Sequence, residues 1–138
     1  MRSLLFHCKE SSFVITGLAT RPRGIIHGDI LNKSQSARDC ILTFVTVENG
    51  DSKEKSVKLV EEILKFCKDT GRKDVFLCPF AHLSNNLAPS KEALPVFAEI
   101  SNGLKVAGVR LTEGHFGSDK EFLIHVYGHR GNTRYREF

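Results

Sequence analysis

Residues 40–80, "CILTFVTVENGDSKEKSVKLVEEILKFCKDTGRKDVFLCPF", read as strand, helix, strand, and the rest of the fold follows from them. Cys40 to Glu48 form a dense β-branched and aromatic run, the pattern of a central strand covered on both faces. After the turn residues "NGDS", apolar side chains recur at Val57, Val60, Ile63, Leu64 and Cys67, which predicts a helix over 52–70 with a charged opposite face. Glu54/Lys58 and Glu61/Lys65 stand at helix-supporting i, i+4 spacing, and Gly71 supplies a stop. "KDVFLCPF" is then a second buried strand. A strand–helix–strand unit closes by a right-handed crossover, so these two strands are predicted to lie parallel.

Working outward, a second helix is predicted over 90–105, with Phe97, Ile100 and Leu104 on one face. Pro95 implies that this helix starts late or bends, because proline gives no N–H and clashes one turn back. "GVRLTEG" and "KEFLIHVYG" are strand-like runs joined by "GHFGSD". On the N-terminal side, "RSLLFHC" (2–8) and "SFVITGLA" (12–19) are short and β-rich, and the intervening "KES" suggests a hairpin. "TRPRGIIHGDILNKSQS" reads as loop. The predicted order is β, β, β, α, β, α, β, β, with two βα units in succession favouring an α/β fold with helices on one face of a sheet.

A chain of 138 residues fits one domain, and 41% hydrophobic with 26% charged residues is ordinary for a globular protein. The opening "MRSLLFHCKE" is broken by His7 and Lys9 before a leader's apolar core could form. Cys8, Cys40, Cys67 and Cys78 show no C-x-x-C spacing, which points to reduced thiols and a cytoplasmic setting. The net charge of +4 permits a polyanionic partner without demanding one. Arg21, Arg23, Arg130, Arg134 and Arg136 fall in loop or terminal segments, where they either follow a phosphate backbone or are solvated surface charge.

Several chemistries lack their signatures. His125 and His129 fall in a strand-like run, where four residues span about 13 Å, so they do not chelate one ion as neighbours and no metal is expected. "GHFGSDK" has neither the spacing of a phosphate loop nor a following helix. G-x-S-x-G is absent, and Cys78, inside a buried run, reads as packing. His82 is different, because it stands just past the carboxyl end of a βα strand, where open α/β sheets place ligand sites. A capping or merely exposed histidine is the competing reading. Lys120 opens the last strand after a glycine-bounded loop, where it either donates to an ester carbonyl or an anion or is simply solvated.

"VFLCPFAHLSNNLA" resembles the P-F-A-H-L-S segment of the archaeal threonyl-tRNA synthetase N-terminal editing domain. "HFGSDKEFLIHVYGH" is similar to that family's later F-G-x-x-K-x-F strand ending in G-H, and "MRSLLFHC" and "FVTVE" match in the same order, so the resemblance touches nearly the whole chain. It implies a three-layer α/β/β fold like that of D-aminoacyl-tRNA deacylase, β-β-(βα)2-β-β with one further strand, as a single editing domain over 1–138.

The implied activity is proofreading, the hydrolysis of L-serine wrongly esterified to threonine tRNA, helped by the 2′-hydroxyl of the terminal adenosine. The alternatives are a D-aminoacyl-tRNA deacylase on the same fold, or a tRNA-end-binding module without catalysis. The implied partners are the threonine tRNA 3′ end carrying serine, a second copy in a homodimer, and a catalytic synthetase domain or subunit; no cofactor is implied. Carried onto this chain, Lys120 and His82 are the implied catalytic residues. Val47, Pro79, Phe80, Ala81, Phe116 and Gly117 are the implied walls of the serine and adenosine pockets. Two departures stand out. Asp119 replaces a frequent tyrosine, and a glutamate expected near Thr133 is missing, leaving Asp119 or Glu121 to replace it.

Overall fold

The computed structural model describes residues 1–138, in the order β1 (Arg2–Leu18), β2 (Ser34–Thr46), α1 (Lys53–Thr70), β3 (Asp74–Pro79), α2 (Ser90–Val106), β4 (Arg110–Glu113), β5 (Ser118–Val126) and β6 (Thr133–Glu137). The six strands form one sheet ordered β4-β3-β2-β1-β5, with β6 also paired to β1. The expected parallel pairing of the βα units is present, Val45 standing opposite Pro79, and β4 extends it parallel to β3.

The predicted helices form for the expected reasons. Gly71 ends α1 in the left-handed region at φ 68°, its N–H turned back to the last carbonyls. The buried face of α1 is Ser56, Leu59, Ile63, Phe66 and Cys67, whereas Val57, expected on the apolar stripe, is 48% exposed. Pro95 neither delays nor ends α2, which runs from Ser90 through it and buries Ala93, Phe97, Ile100 and Leu104.

The predicted N-terminal hairpin is not formed. Residues 2–18 are one strand, paired antiparallel with β2 in a single register from Arg2–Thr46 to Val14–Ser34. "KES" marks a change of face rather than a turn. Leu4, Phe6 and Cys8 join one core cluster, and beyond Lys9 the same cluster is joined by Phe13 and Ile15, so the inward side shifts from even to odd positions. Opposite that point, Asp39 has φ 46°, and the pairing of β1 with β5 slips between Cys8 and Glu10. This is how β-bulges bend a strand.

The bend makes layers from one sheet. Met1, Leu5, Ile41, Val45, Leu77 and the helices fill one core. On the other face the far half of β1 and β5 fold back over β2 and β3, with Phe13 against Phe76 at 5.3 Å and Phe122 against Phe44 at 5.4 Å between ring centroids. Three layers, α/β/β, result. The additional C-terminal strand implied by the family is β6, paired with residues 2–6. Consequently β4 and β5, adjacent in sequence, lie on opposite sides of the sheet, and the segment joining them must cross the carboxyl ends of β2 and β3.

Candidate active site

That crossing builds the site. Residues 114–117 pass so close over β3 that a Cβ at Gly114 would lie 2.8 Å from Cys78 Sγ and 3.1 Å from its Cα. Gly117 has φ +82° and would place a Cβ 2.9 Å from the Ile26 carbonyl, so only glycine suits it. The crossing is sewn to a strap, residues 19–28. The Ala19 N–H donates to the Gly117 carbonyl at 3.0 Å, the Gly28 N–H to that of Phe116 at 3.0 Å, and buried His115 gives Nε2–H to the Gly28 carbonyl at 2.7 Å. His27 bonds the Ala19 carbonyl at 2.8 Å, and the Ile26 N–H reaches Ser90 Oγ on α2 at 3.0 Å.

The ends of β2 and β3 emerge side by side beneath. The Phe80 N–H donates to the Val45 carbonyl at 2.8 Å, and buried Thr46 gives its hydroxyl proton to the Phe80 carbonyl while accepting from the Leu83 N–H at 3.4 Å. This pins the turn that carries His82, whose ring lies edge-on to Phe80 at 5.1 Å between centroids.

Between these parts lies a cleft of about 600 Å3. Val47, Ala93, Phe97 and Phe116 form its walls on the helix side of the sheet, and Phe80, Phe122, His82 and Lys120 those on the other. All eight residues singled out from the sequence, Lys120, His82, Val47, Pro79, Phe80, Ala81, Phe116 and Gly117, line it together. Asp119 is its single carboxylate. Glu121 and Thr133 do not line it, and Thr133, on β6, is paired with Phe6 of β1.

Lys120 is the half-buried cation of the cleft. Its ammonium donates to the Ser118 carbonyl at 2.9 Å and forms no ion pair with a carboxylate. Burial lowers its pKa, partly offset by the nearby Cys78 sulfur and Asp119. The Cys78 thiol is pushed up to about 12 by burial, with Lys120 pulling the other way, so it stays protonated and packs as a core side chain. No group of three His, Cys, Asp or Glu residues is arranged to hold a metal ion.

The sequence reading missed part of the lining. Thr46 sits within a run read only as buried strand, Ala19 ends another strand-like run, and Arg21, Pro22 and Ile25 come from a segment read as loop. Of the five arginines noted in loops and termini, Arg134 and Arg136 are engaged with α1, at 2.7 Å from Asp69 and 2.7 Å from Glu62 respectively. Arg21 alone of the five lines the cleft.

The architecture and the cleft at the sheet's carboxyl edge place this chain in the D-aminoacyl-tRNA deacylase-like fold class. The c-Myc DNA unwinding element binding protein shares the fold with a TM-score of 0.73 at 13% identity, covering 100% of this chain and 99% of that one. A family model described as the archaea-specific editing domain of threonyl-tRNA synthetase matches residues 1–137, and the chain belongs to that family. The threonine–tRNA ligases of Thermofilum pendens and Nanoarchaeum equitans are 32% and 34% identical over 131 and 133 residues, in each case 94% of this chain. The threonine–tRNA ligase editing subunit of Saccharolobus solfataricus is 35% identical over 97 residues, 70% of this chain and 25% of that protein. The chain spans about a fifth of the two ligases, 21% and 20% of their lengths.

Proposed function

We propose that this domain proofreads threonine tRNA by hydrolysing serine from its 3′ end. The observation that carries the reading is the cleft itself, which joins a lysine lacking a carboxylate partner to apolar walls within an editing-domain family. A synthetic site built for threonine rejects serine poorly, since one methyl is worth only about 1 to 3 kcal/mol. A second, hydrolytic site raises fidelity.

In the proposed step water adds to the ester carbonyl, the bond from that carbon to the ribose oxygen breaks, and the ribose oxygen takes up the proton water gives up. Lys120 stabilises the developing oxyanion from a water-poor position, where a donor acts most strongly. His82 bounds the aminoacyl end and hydrogen-bonds substrate or ribose. The vicinal 2′-hydroxyl of the terminal adenosine positions the attacking water. The domain acts beside a catalytic synthetase unit, in the same chain or a separate one, and as a symmetric dimer; Val14, Leu18 and Leu123, 44%, 47% and 49% exposed on β1 and β5, supply an apolar face for it.

The test is ester loss from seryl threonine tRNA with a normal or a 2′-deoxy terminal adenosine. Hydrolysis of the first and at least a hundredfold slower loss from the second is expected. Equal rates would remove the 2′-hydroxyl from the reaction, and no hydrolysis of either would leave a tRNA-end-binding module.

A further inference from the structure

Six of the arginines are tied to carboxylates, at Glu48, Glu10, Asp39, Asp74, Asp69 and Glu62. Arg21, Arg23 and Arg130 form no ion pair and donate no side-chain hydrogen bond, and only Arg21 of these three lines the cleft. It is exposed, and it belongs to the strap that four bonds fasten to the crossing and to its own start, at Ala19, His27 and Gly28, with a fifth from Ile26 to α2. A guanidinium without a carboxylate, carried on a strap bonded at both ends and once within, from the Ile25 N–H to the Pro22 carbonyl at 3.1 Å, is available to an anion outside the protein.

The two cations of the cleft therefore divide by depth. Lys120 is half-buried, engaged by the Ser118 carbonyl, and set among apolar walls. Arg21 stands in the solvent-exposed part of the lining. The proposed substrate has the same division: a neutral ester at its reacting end, and behind the terminal adenosine a phosphodiester that must remain toward solvent because the chain of nucleotides leaves that way. The geometry points to Arg21 as a positioning residue that grips the phosphodiester preceding the terminal adenosine, an inference that rests on the proposed editing reaction. The contact anchors the 3′ end at the mouth of the cleft and so contributes to binding, ahead of the chemical step at Lys120.

A comparison of two substrates isolates this role: seryl threonine tRNA, which carries the phosphodiester, and 3′-O-seryl-adenosine, which has none. For Arg21→Ala the ratio of kcat/KM on the first to that on the second falls about tenfold, the effect of one charge-assisted contact, and the change lies in KM. Arg21→Lys recovers part of it, since a lysine keeps the charge but not the fork. The dependence of log kcat/KM on log salt flattens by about 0.7, as expected for one phosphate of a single strand. An unchanged ratio, whether both substrates suffer equally or neither does, overturns the assignment. If the wild-type chain hydrolyses neither substrate, the editing reading fails on its own. Arg21 is then judged by binding of a single-stranded oligonucleotide ending in CCA, which Arg21→Ala weakens about tenfold if the contact exists and leaves unchanged if it does not.

Discussion

Gly114 lies against Cys78 so closely that any Cβ there would meet the thiol at 2.8 Å and the backbone at 3.1 Å. The crossing from β4 to β5 thus rests directly on the strand that delivers Pro79, Phe80 and His82, and both halves of the cleft share one point of contact. Gly114→Ala is expected to destabilise the domain by about 1 to 3 kcal/mol through overpacking. It should also lower deacylation by more than the folded fraction lost, because Phe116 and Lys120 shift together. Denaturant titration beside an assay of the folded fraction checks both; activity that tracks the folded fraction alone would show that the crossing does not set the site.

Lys120 gives a prediction in which stability and activity separate. Its ammonium is held in surroundings that lower its pKa by burial, so at neutral pH the charge is a burden on the folded state. Lys120→Met removes that burden while keeping the side chain's length. The melting temperature should equal or exceed that of wild type while the deacylation rate falls by about a hundredfold to a thousandfold. A marked drop in melting temperature with the rate preserved would make Lys120 a structural residue.

Thr46 offers a subtler test at the turn below His82. Its hydroxyl serves the Phe80 carbonyl and the Leu83 N–H at once. Thr46→Val keeps the shape and removes both bonds, at an expected cost of about 1 to 3 kcal/mol. KM should rise as the turn loosens; an unaltered KM in the folded protein would mean that the turn holds without this hydroxyl.

Far from the cleft, three side chains form a directional relay. Arg72 Nε–H donates to His7 Nε2 at 2.9 Å, so His7 must donate from Nδ1 to His129 Nε2 at 2.8 Å, and His129 Nδ1 faces the Arg130 carbonyl at 3.0 Å. Burial first, then the Arg72 and His129 charges, lowers the His7 pKa, with Asp39 opposing. The unfolded chain takes up this proton near pH 6.5 and the native state only at lower pH, so the unfolded state binds more protons in between. Stability should be full above about pH 6.5 and decline as pH falls below it. His7→Gln should flatten the melting-temperature profile between about pH 7 and pH 5; a slope equal to that of wild type would assign the acid sensitivity elsewhere.

The particular residues explain what could be read in advance. Residues 40–80 announced themselves because α1 repeats its apolar side chains at helical spacing and β2 and β3 are buried on both faces. "KES" misled because a strand that changes its inward face shows the same polar interruption as a turn, and only the unbroken register with β2 distinguishes them. Of the two outcomes read from Pro95, the late start does not occur, because α2 begins at Ser90 and tolerates one missing N–H in its second turn. His82 was legible as a residue just past a strand end and Lys120 as one following a glycine-bounded loop, whereas the strap was not, since its bonds to Phe116 and Gly117 are made to backbone groups that carry no side-chain signature.

The proposed reaction is the removal of L-serine from threonine tRNA in the cleft. Parallel time courses of ester loss from the L-seryl, L-threonyl and D-aminoacyl forms of that tRNA test it most directly. Rapid loss of the L-seryl ester is expected, with the L-threonyl ester spared and the D-form slower than L-serine. Faster hydrolysis of the D-aminoacyl form than of the L-seryl form would contradict it.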